Sequence, residues 1–174
     1  MHTKKLIIIR GPSGTGKSTL AAHLLERPAI TWEEIPATTW HEADHFFMKL
    51  NGFLEPTYEF DYNKLYAAHR WSMSNVERDL FLQRPLVIVS NTSMAHKEVK
   101  PYLSLAEEYG YEYEVIRTPG PWDIDTLVER NAHGVPRDII ERQISRYQPM
   151  TSETEWSDLT IFTNGQRKIR SETK

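Results

Sequence analysis

Short apolar runs alternate along this chain with longer segments whose apolar residues recur every three or four positions. Lys5 to Arg10 (KLIIIR) is an unbroken β-branched run, the pattern of a strand buried on both faces. A glycine-rich turn follows. Leu20, Leu24 and Leu25 then predict a helix from about Lys17 to Glu26, ended by Pro28. Thr38 to Trp40 reads as a second strand ending near Asp44, with Trp32 and Trp40 as loop anchors in the alternative reading. Leu65, Ala68, Ser72, Val76 and Leu80 share one helical face and predict a helix from Asp61 to about Leu82. Leu86 to Val89 is an interior strand. Pro101 to Tyr109 reads as a helix stopped by Gly110, a residue type favoured just past a helix end. Tyr111 to Arg117 predicts another strand, and Asp123 caps a short helix to about Asn131. Pro136 or Arg137 opens a helix to about Tyr147, and a last strand is expected from Leu159 to Phe162.

Strands alternating with helices predict βαβ units and a parallel sheet covered on both sides. No repeat or long linker divides the chain, so residues 1–174 are expected to form one domain, with a basic, polar tail from about Gln166. The composition suits a water-exposed globular protein, at 39% hydrophobic and 26% charged. Cysteine is absent, which excludes disulfides, thiolate metal sites and cysteine nucleophiles and agrees with a cytoplasmic location. The formal net charge of -3 argues against broad electrostatic wrapping of nucleic acid, while leaving room for a local basic patch. No apolar run approaches the roughly 20 residues of a membrane helix.

The chemistry concentrates after the first strand. Gly11-Pro12-Ser13-Gly14-Thr15-Gly16-Lys17-Ser18 matches G-x-x-x-x-G-K-[ST] in full. Its glycines let backbone N–H groups turn inward around phosphate oxygens. Lys17 brings a point charge to the β- and γ-phosphates, Ser18 a hydroxyl to Mg²⁺, and the helix start through Thr19 a positive dipole end. The pattern predicts a P-loop NTPase three-layer sandwich with a parallel sheet of four to five strands and a helical lid, binding ATP and Mg²⁺. A guanine-reading N/T-K-x-D is absent, and the strand from Leu86 ends in Ser90 and Asn91 rather than paired carboxylates. Both features point away from a GTPase or motor ATPase and toward a small kinase.

Further segments follow in order: Ala43-Asp44-His45-Phe46-Phe47; Tyr58 to Asp61 with Leu65 and His69; Val87 to Ser93 with Glu98, Pro101 and Tyr102; and Pro121-Trp122 with Leu127-Val128-Glu129-Arg130-Asn131 and His133 to Pro136. Together they resemble the polynucleotide kinase branch of P-loop kinases, the kinase domain of the Nedd-four-binding protein two family and the bacteriophage polynucleotide kinases. The resemblance covers about residues 5 to 147. It implies phosphoryl transfer from ATP to the 5′-hydroxyl of a DNA or RNA end, with Asp44 as general base. It also implies a lid over about residues 119–147 that supplies Arg130 to the transferring phosphoryl group. A hydroxyl nucleophile needs a proton acceptor, and charge spread over phosphoryl oxygens needs a planar, forked cation, so both residue types fit. The chain departs from the phage pattern twice. His45, Phe46, Phe47 and Met48 stand where those enzymes carry an arginine for the acceptor phosphate, and Asn91 stands where they carry Asp.

Other residues keep two readings. Asp44 is alternatively a strand-end cap, and Arg130 a surface ion-pair partner. Arg137, Arg142 and Arg146 either track a polyanion or form a solvated helix face. His69 and His133 are structural histidines, or serve an acceptor pocket and a lid hinge respectively. Among Trp32, Trp40, Phe46, Phe47, Phe53 and Tyr58, one or two are expected to touch substrate. Two other functions remain open: a kinase for a nucleoside, small metabolite or modified-base hydroxymethyl group, and a nucleotide-dependent nucleic-acid-binding module without transfer.

Overall fold

The structure, a computed structural model, describes residues 3–25, 39–50 and 56–162. In chain order these form β1 (Lys5–Arg10), α1 (Lys17–Leu24), β2 (Trp40–His41), β3 (Met48–Leu50), β4 (Pro56–Tyr58), α2 (Leu65–Phe81), β5 (Leu86–Val89), α3 (His96–Tyr109), β6 (Glu112–Arg117), α4 (Ile124–Arg130), α5 (Arg137–Ser145) and β7 (Glu153–Glu155). Tight 3₁₀ turns cover Ala43–Phe47 and Tyr62–Lys64. Trp32, Phe53, the helix end at Pro28 and the tail from Gln166 lie outside the described residues.

Five strands build one parallel sheet in the order β2-β5-β1-β6-β7. β1 is central because its run is apolar on both faces. Leu6 and Ile8 join Val76 and Leu80 of α2 and Val99 and Ala106 of α3 on one side. Ile7 and Ile9 pack with Leu20 and Ala21 of α1 on the other. That is the expected three-layer sandwich. Parallel strands end their carboxyl termini on a common edge, where ligand crevices form in such sheets. The phosphate loop leaves β1 there, the Ala43–Phe47 turn leaves β2 beside it, and Ser90 and Asn91 follow β5. Among the described residues, no helix is long and apolar enough to cross a membrane.

Four boundaries differ from the sequence expectation. The second strand is Trp40–His41, and the turn beginning at Ala43 holds Asp44 clear of it. The helix read from Asp61 opens as a 3₁₀ turn with Asp61 accepting from the Asn63 N–H, and becomes α-helical at Leu65. α3 begins at His96, so Pro101 sits inside it rather than opening it. The Glu98 carboxylate accepts from the Ala95 N–H at 2.8 Å and fixes that earlier start. Finally, Leu159 to Phe162 is no strand. Asp158 accepts from the N–H and hydroxyl of Thr160 and starts a helical turn, while the fifth strand is the polar Glu153–Glu155, paired with β6. An antiparallel pair, β3 with β4, was not anticipated.

Candidate active site

The phosphate loop is held open by its glycines and by what packs on them. Gly14 has φ +83°, a left-handed conformation, and a Cβ there would run into the carbonyl oxygen of Leu127 in α4. Gly16 has φ +87°, and a Cβ there would lie 2.7 Å from the ring of Phe162. The Thr15 hydroxyl donates to the Pro12 carbonyl at 2.8 Å, and the Lys17 Nζ donates to the same oxygen at 3.0 Å. Desolvation lowers the Lys17 pKa to about 8, against the opposing pull of the Glu42 and Asp44 charges. Both carboxylates are therefore within electrostatic reach of the loop lysine.

Glu42, which the sequence reading passed over, is buried at 6% exposure. Its Oε2 accepts from the Ser18 hydroxyl at 3.1 Å and from the Ser90 hydroxyl at 2.7 Å. Its Oε1 lies 3.3 Å from His45 Nε2. Ser90 in turn accepts from the Trp40 indole at 2.6 Å. Burial first, then the neighbouring Asp44 charge, push the Glu42 carboxyl up to about 7, and the Ser90 and Ser18 hydroxyls and Lys17 pull it back. Burial likewise pulls His45 down to about 4. Asn91 explains how this edge manages without the carboxylate sought at the end of β5. Its Oδ1 accepts from the Ala43 N–H at 2.8 Å and so pins the turn that carries Asp44. The acidic residue stands on the adjoining strand end instead, and its signal was the polar-apolar break Trp40-His41-Glu42.

Asp44 is half-exposed. Its Oδ1 accepts from the Tyr58 hydroxyl at 2.7 Å, and its Oδ2 lies 3.8 Å from His133 Nε2. Phe46 and Phe47 pack edge-on with Trp71 and Tyr58 respectively, so both serve a small apolar cluster beneath the turn. Among the described acceptor-side aromatics, Tyr58 meets a candidate catalytic group.

α4 and α5 lie over the loop. Besides the Leu127 contact, Gln143 Oε1 accepts from the Ser13 N–H at 2.8 Å. Arg130 ends α4, exposed, with no ion pair to a described residue. The other lid arginines are paired at the surface: Arg137 with Asp125 at 2.6 Å and Glu141 at 3.2 Å, Arg142 with Asp138 at 3.4 Å, and Arg146 with Glu98 at 2.8 Å. That is the solvated-face pattern. His69 is exposed on α2 and feels the charges of Glu98 and Asp44.

The residues present fit a magnesium nucleotide. An exposed hydroxyl (Ser18) oriented by a buried carboxylate is an all-oxygen donor set suited to a hard cation. The left-handed glycines leave no side-chain bulk along the loop. The AAA_33 family model, described as an AAA domain, matches residues 6–150. NEDD4-binding protein 2 of Homo sapiens is 29% identical over 150 residues, which is 84% of this chain and 8% of that much longer protein. Solved structures share the fold, and two of them illustrate it. Kti12 of Chaetomium thermophilum, in complex with ADP-AlF3, has a TM-score of 0.57 at 17% identity, covering 95% of this chain and 97% of its own. The APS kinase CysC of Mycobacterium tuberculosis, in complex with AMPPNP and APS, has a TM-score of 0.56 at 17% identity, with 100% of each chain covered.

Proposed function

The chain belongs to the AAA_33 family of AAA domains and is a P-loop kinase, and from that premise we propose that it transfers the γ-phosphate of ATP to the 5′-hydroxyl of a polynucleotide. The observation that carries this reading is Asp44. A half-exposed carboxylate stands on the same sheet edge as Ser18 and within electrostatic reach of Lys17, beside a lid residue. The motif order shared with polynucleotide kinases supports the acceptor class, and residues 1–174 act as one domain in this reading.

In the proposed reaction the acceptor hydroxyl gives its proton to Asp44 as its oxygen bonds to the γ-phosphorus. The bond from phosphorus to the β–γ bridging oxygen breaks, and ADP leaves with that oxygen. Lys17 and the N–H groups of Gly14, Thr15, Gly16, Lys17, Ser18 and Thr19 hold the phosphates, while Gly11, Pro12 and Ser13 shape the turn of the cradle. Ser18 would hold Mg²⁺, with Glu42 orienting its hydroxyl; when bound, the ion neutralises charge on the β- and γ-oxygens. Lys17 turns from the Pro12 carbonyl to the phosphates, and Arg130 swings from solvent to the equatorial oxygens.

The test is transfer of labelled γ-phosphate to 5′-hydroxyl DNA and RNA oligonucleotides. Wild-type protein is expected to label them. D44N and K17A are expected to lose about 100-fold or more, and R130A about 1000-fold by arginine-finger precedent. Unlabelled ends alongside normal ATP binding would sink the polynucleotide reading.

One observation favours a second acceptor class. His45 and Phe47, in the stretch where the phage enzymes carry their arginine, turn into the protein: His45 toward Glu42 and Trp40, Phe47 into the apolar cluster at 2% exposure. Neither can hold an acceptor phosphate. A nucleoside, a small metabolite or a modified-base hydroxymethyl group needs none there. A panel of such acceptors read by product mass separates the two classes.

A further inference from the structure

Two side chains from different elements converge on Asp44, and neither is used in the phosphoryl-transfer scheme above. Tyr58 ends β4 of the antiparallel pair. His133 lies in the loop between α4 and α5, where the Asn131 side chain accepts from the His133 N–H at 3.2 Å and donates to the Val135 carbonyl at 2.7 Å, folding the loop into a fixed turn. The Tyr58 and His133 rings stack with centroids 4.3 Å apart and planes 29° from parallel. The phenol then reaches Asp44 Oδ1 at 2.7 Å.

We propose that Tyr58 and His133 are positioning residues that select Asp44 Oδ2 as the proton-accepting atom and tie its placement to the seating of the lid. The inference rests on the reading of Asp44 as the general base. A carboxylate oxygen that already accepts a charge-assisted hydrogen bond is the weaker base of the pair, so Tyr58 leaves Oδ2 to the acceptor hydroxyl. At 3.8 Å, His133 Nε2 is too far to hydrogen-bond Oδ2 and does not compete for its lone pairs. Its contribution is the ring stack, which fixes the Tyr58 ring and with it the phenol direction. Because His133 rides on the α4–α5 loop, and α4 and α5 touch the phosphate loop through Leu127 and Gln143, donor loop and base are set by one body. Glu42, His45, His69 and Lys17 are the other titratable groups that face Asp44, and none of them bonds it.

The experiment compares Y58F, H133A and H133F with wild type, each alone and combined with D44N, using ATP and a 5′-hydroxyl oligonucleotide. Y58F and H133A should lower kcat about 10- to 100-fold with KM for ATP unchanged, the cost of a misplaced base. H133F keeps the stack and should stay within about 2-fold of wild type, since no hydrogen bond is lost. In the D44N background neither Y58F nor H133A should cost anything further, because groups acting through one residue are not additive with its loss. Wild-type rates in H133A and Y58F, or full additivity with D44N, would overturn the proposal. An activity-independent arm records the His133 ring resonance by NMR. It should lose its Tyr58 ring-current shift in Y58A, and the Tyr58 ring resonances should move in D44N. An unchanged spectrum in both variants overturns the proposal even if the oligonucleotide proves not to be an acceptor, and that second failure would fall on the polynucleotide reading alone.

Discussion

Glu42 shows how one buried residue can tie the stability of the fold to pH. Its carboxyl holds a proton up to about 7 in the fold, against 4.5 for the ordinary group, because burial disfavours the charge and Asp44 adds repulsion. The folded state thus binds this proton more tightly than the unfolded chain does. The stabilising contribution is fully present below pH 4.5 and is lost as pH rises through about 7. In metal-free and nucleotide-free buffer, E42Q should match wild type near pH 4.5 and exceed it by about 3 kcal/mol above the window. Urea unfolding at a series of pH values measures this, and parallel curves for the two proteins would refute it. The same substitution should weaken magnesium-dependent ATP binding, since Ser18 loses its charged acceptor.

At the scale of elements, the lid is where local sequence signals matter most. α4 spans only Ile124–Arg130, too short to persist without help from its cap and its packing. Asp123 supplies the cap, accepting from the Thr126 N–H at 2.9 Å and from its hydroxyl at 2.6 Å. Leu127 supplies the packing, buried at 4% exposure with its carbonyl against Gly14. D123A should therefore speed amide exchange across residues 124–130 several-fold while leaving the urea midpoint of the whole protein in place. Exchange rates equal to wild type would show that Leu127 alone holds the helix. The Asp123 cap was legible because capping chemistry is local. The true start of α3 was not, because Ala95 is a poor cap on its own and only the Glu98 carboxylate folding back to it makes the earlier start favourable.

For the molecule as a whole, Arg10 is the residue that joins the phosphate-loop strand to the far edge of the sheet. It is wholly buried. Its Nε donates to the Ser93 carbonyl at 2.9 Å, Nη2 to the Met94 carbonyl at 2.7 Å, and Nη1 to the Gln148 carbonyl at 3.0 Å and the Glu153 carboxylate at 2.7 Å. The guanidinium also lies over the Tyr147 ring, 5.0 Å from its centroid. R10M would remove the guanidinium from the Ser93 and Gln148 carbonyls, from the Met94 carbonyl, which keeps the Gln148 N–H, and from the buried Glu153 carboxylate, which keeps the Tyr147 hydroxyl. A loss of about 3–5 kcal/mol in urea unfolding is expected, with an unchanged m-value. A loss under about 1 kcal/mol, the range of a surface pair, would mean that solvent reaches this junction.

The sequence by itself determined the central strand, the phosphate loop after it, the parallel sheet and the capped lid helix. Each is written in contiguous residues: an unbroken apolar run, a glycine pattern with its lysine and serine, a helical spacing, a cap. The tertiary structure alone decided the rest of the edge. The polar Glu153–Glu155 became the fifth strand because β6 offers it a free edge and Arg10 a charge partner, while the more apolar Leu159 to Phe162 turned into a helical cover for the loop. Asp44, Tyr58 and His133 were each named as candidates from their motifs, yet their meeting was not, and Glu42 was missed altogether. Glu42 meets Ser18 across 24 positions, Ser90 across 48, and Asp44 meets Tyr58 across 14. No periodicity carries such pairings, because they arise only when parallel strands bring their ends to one edge and a lid comes down across it.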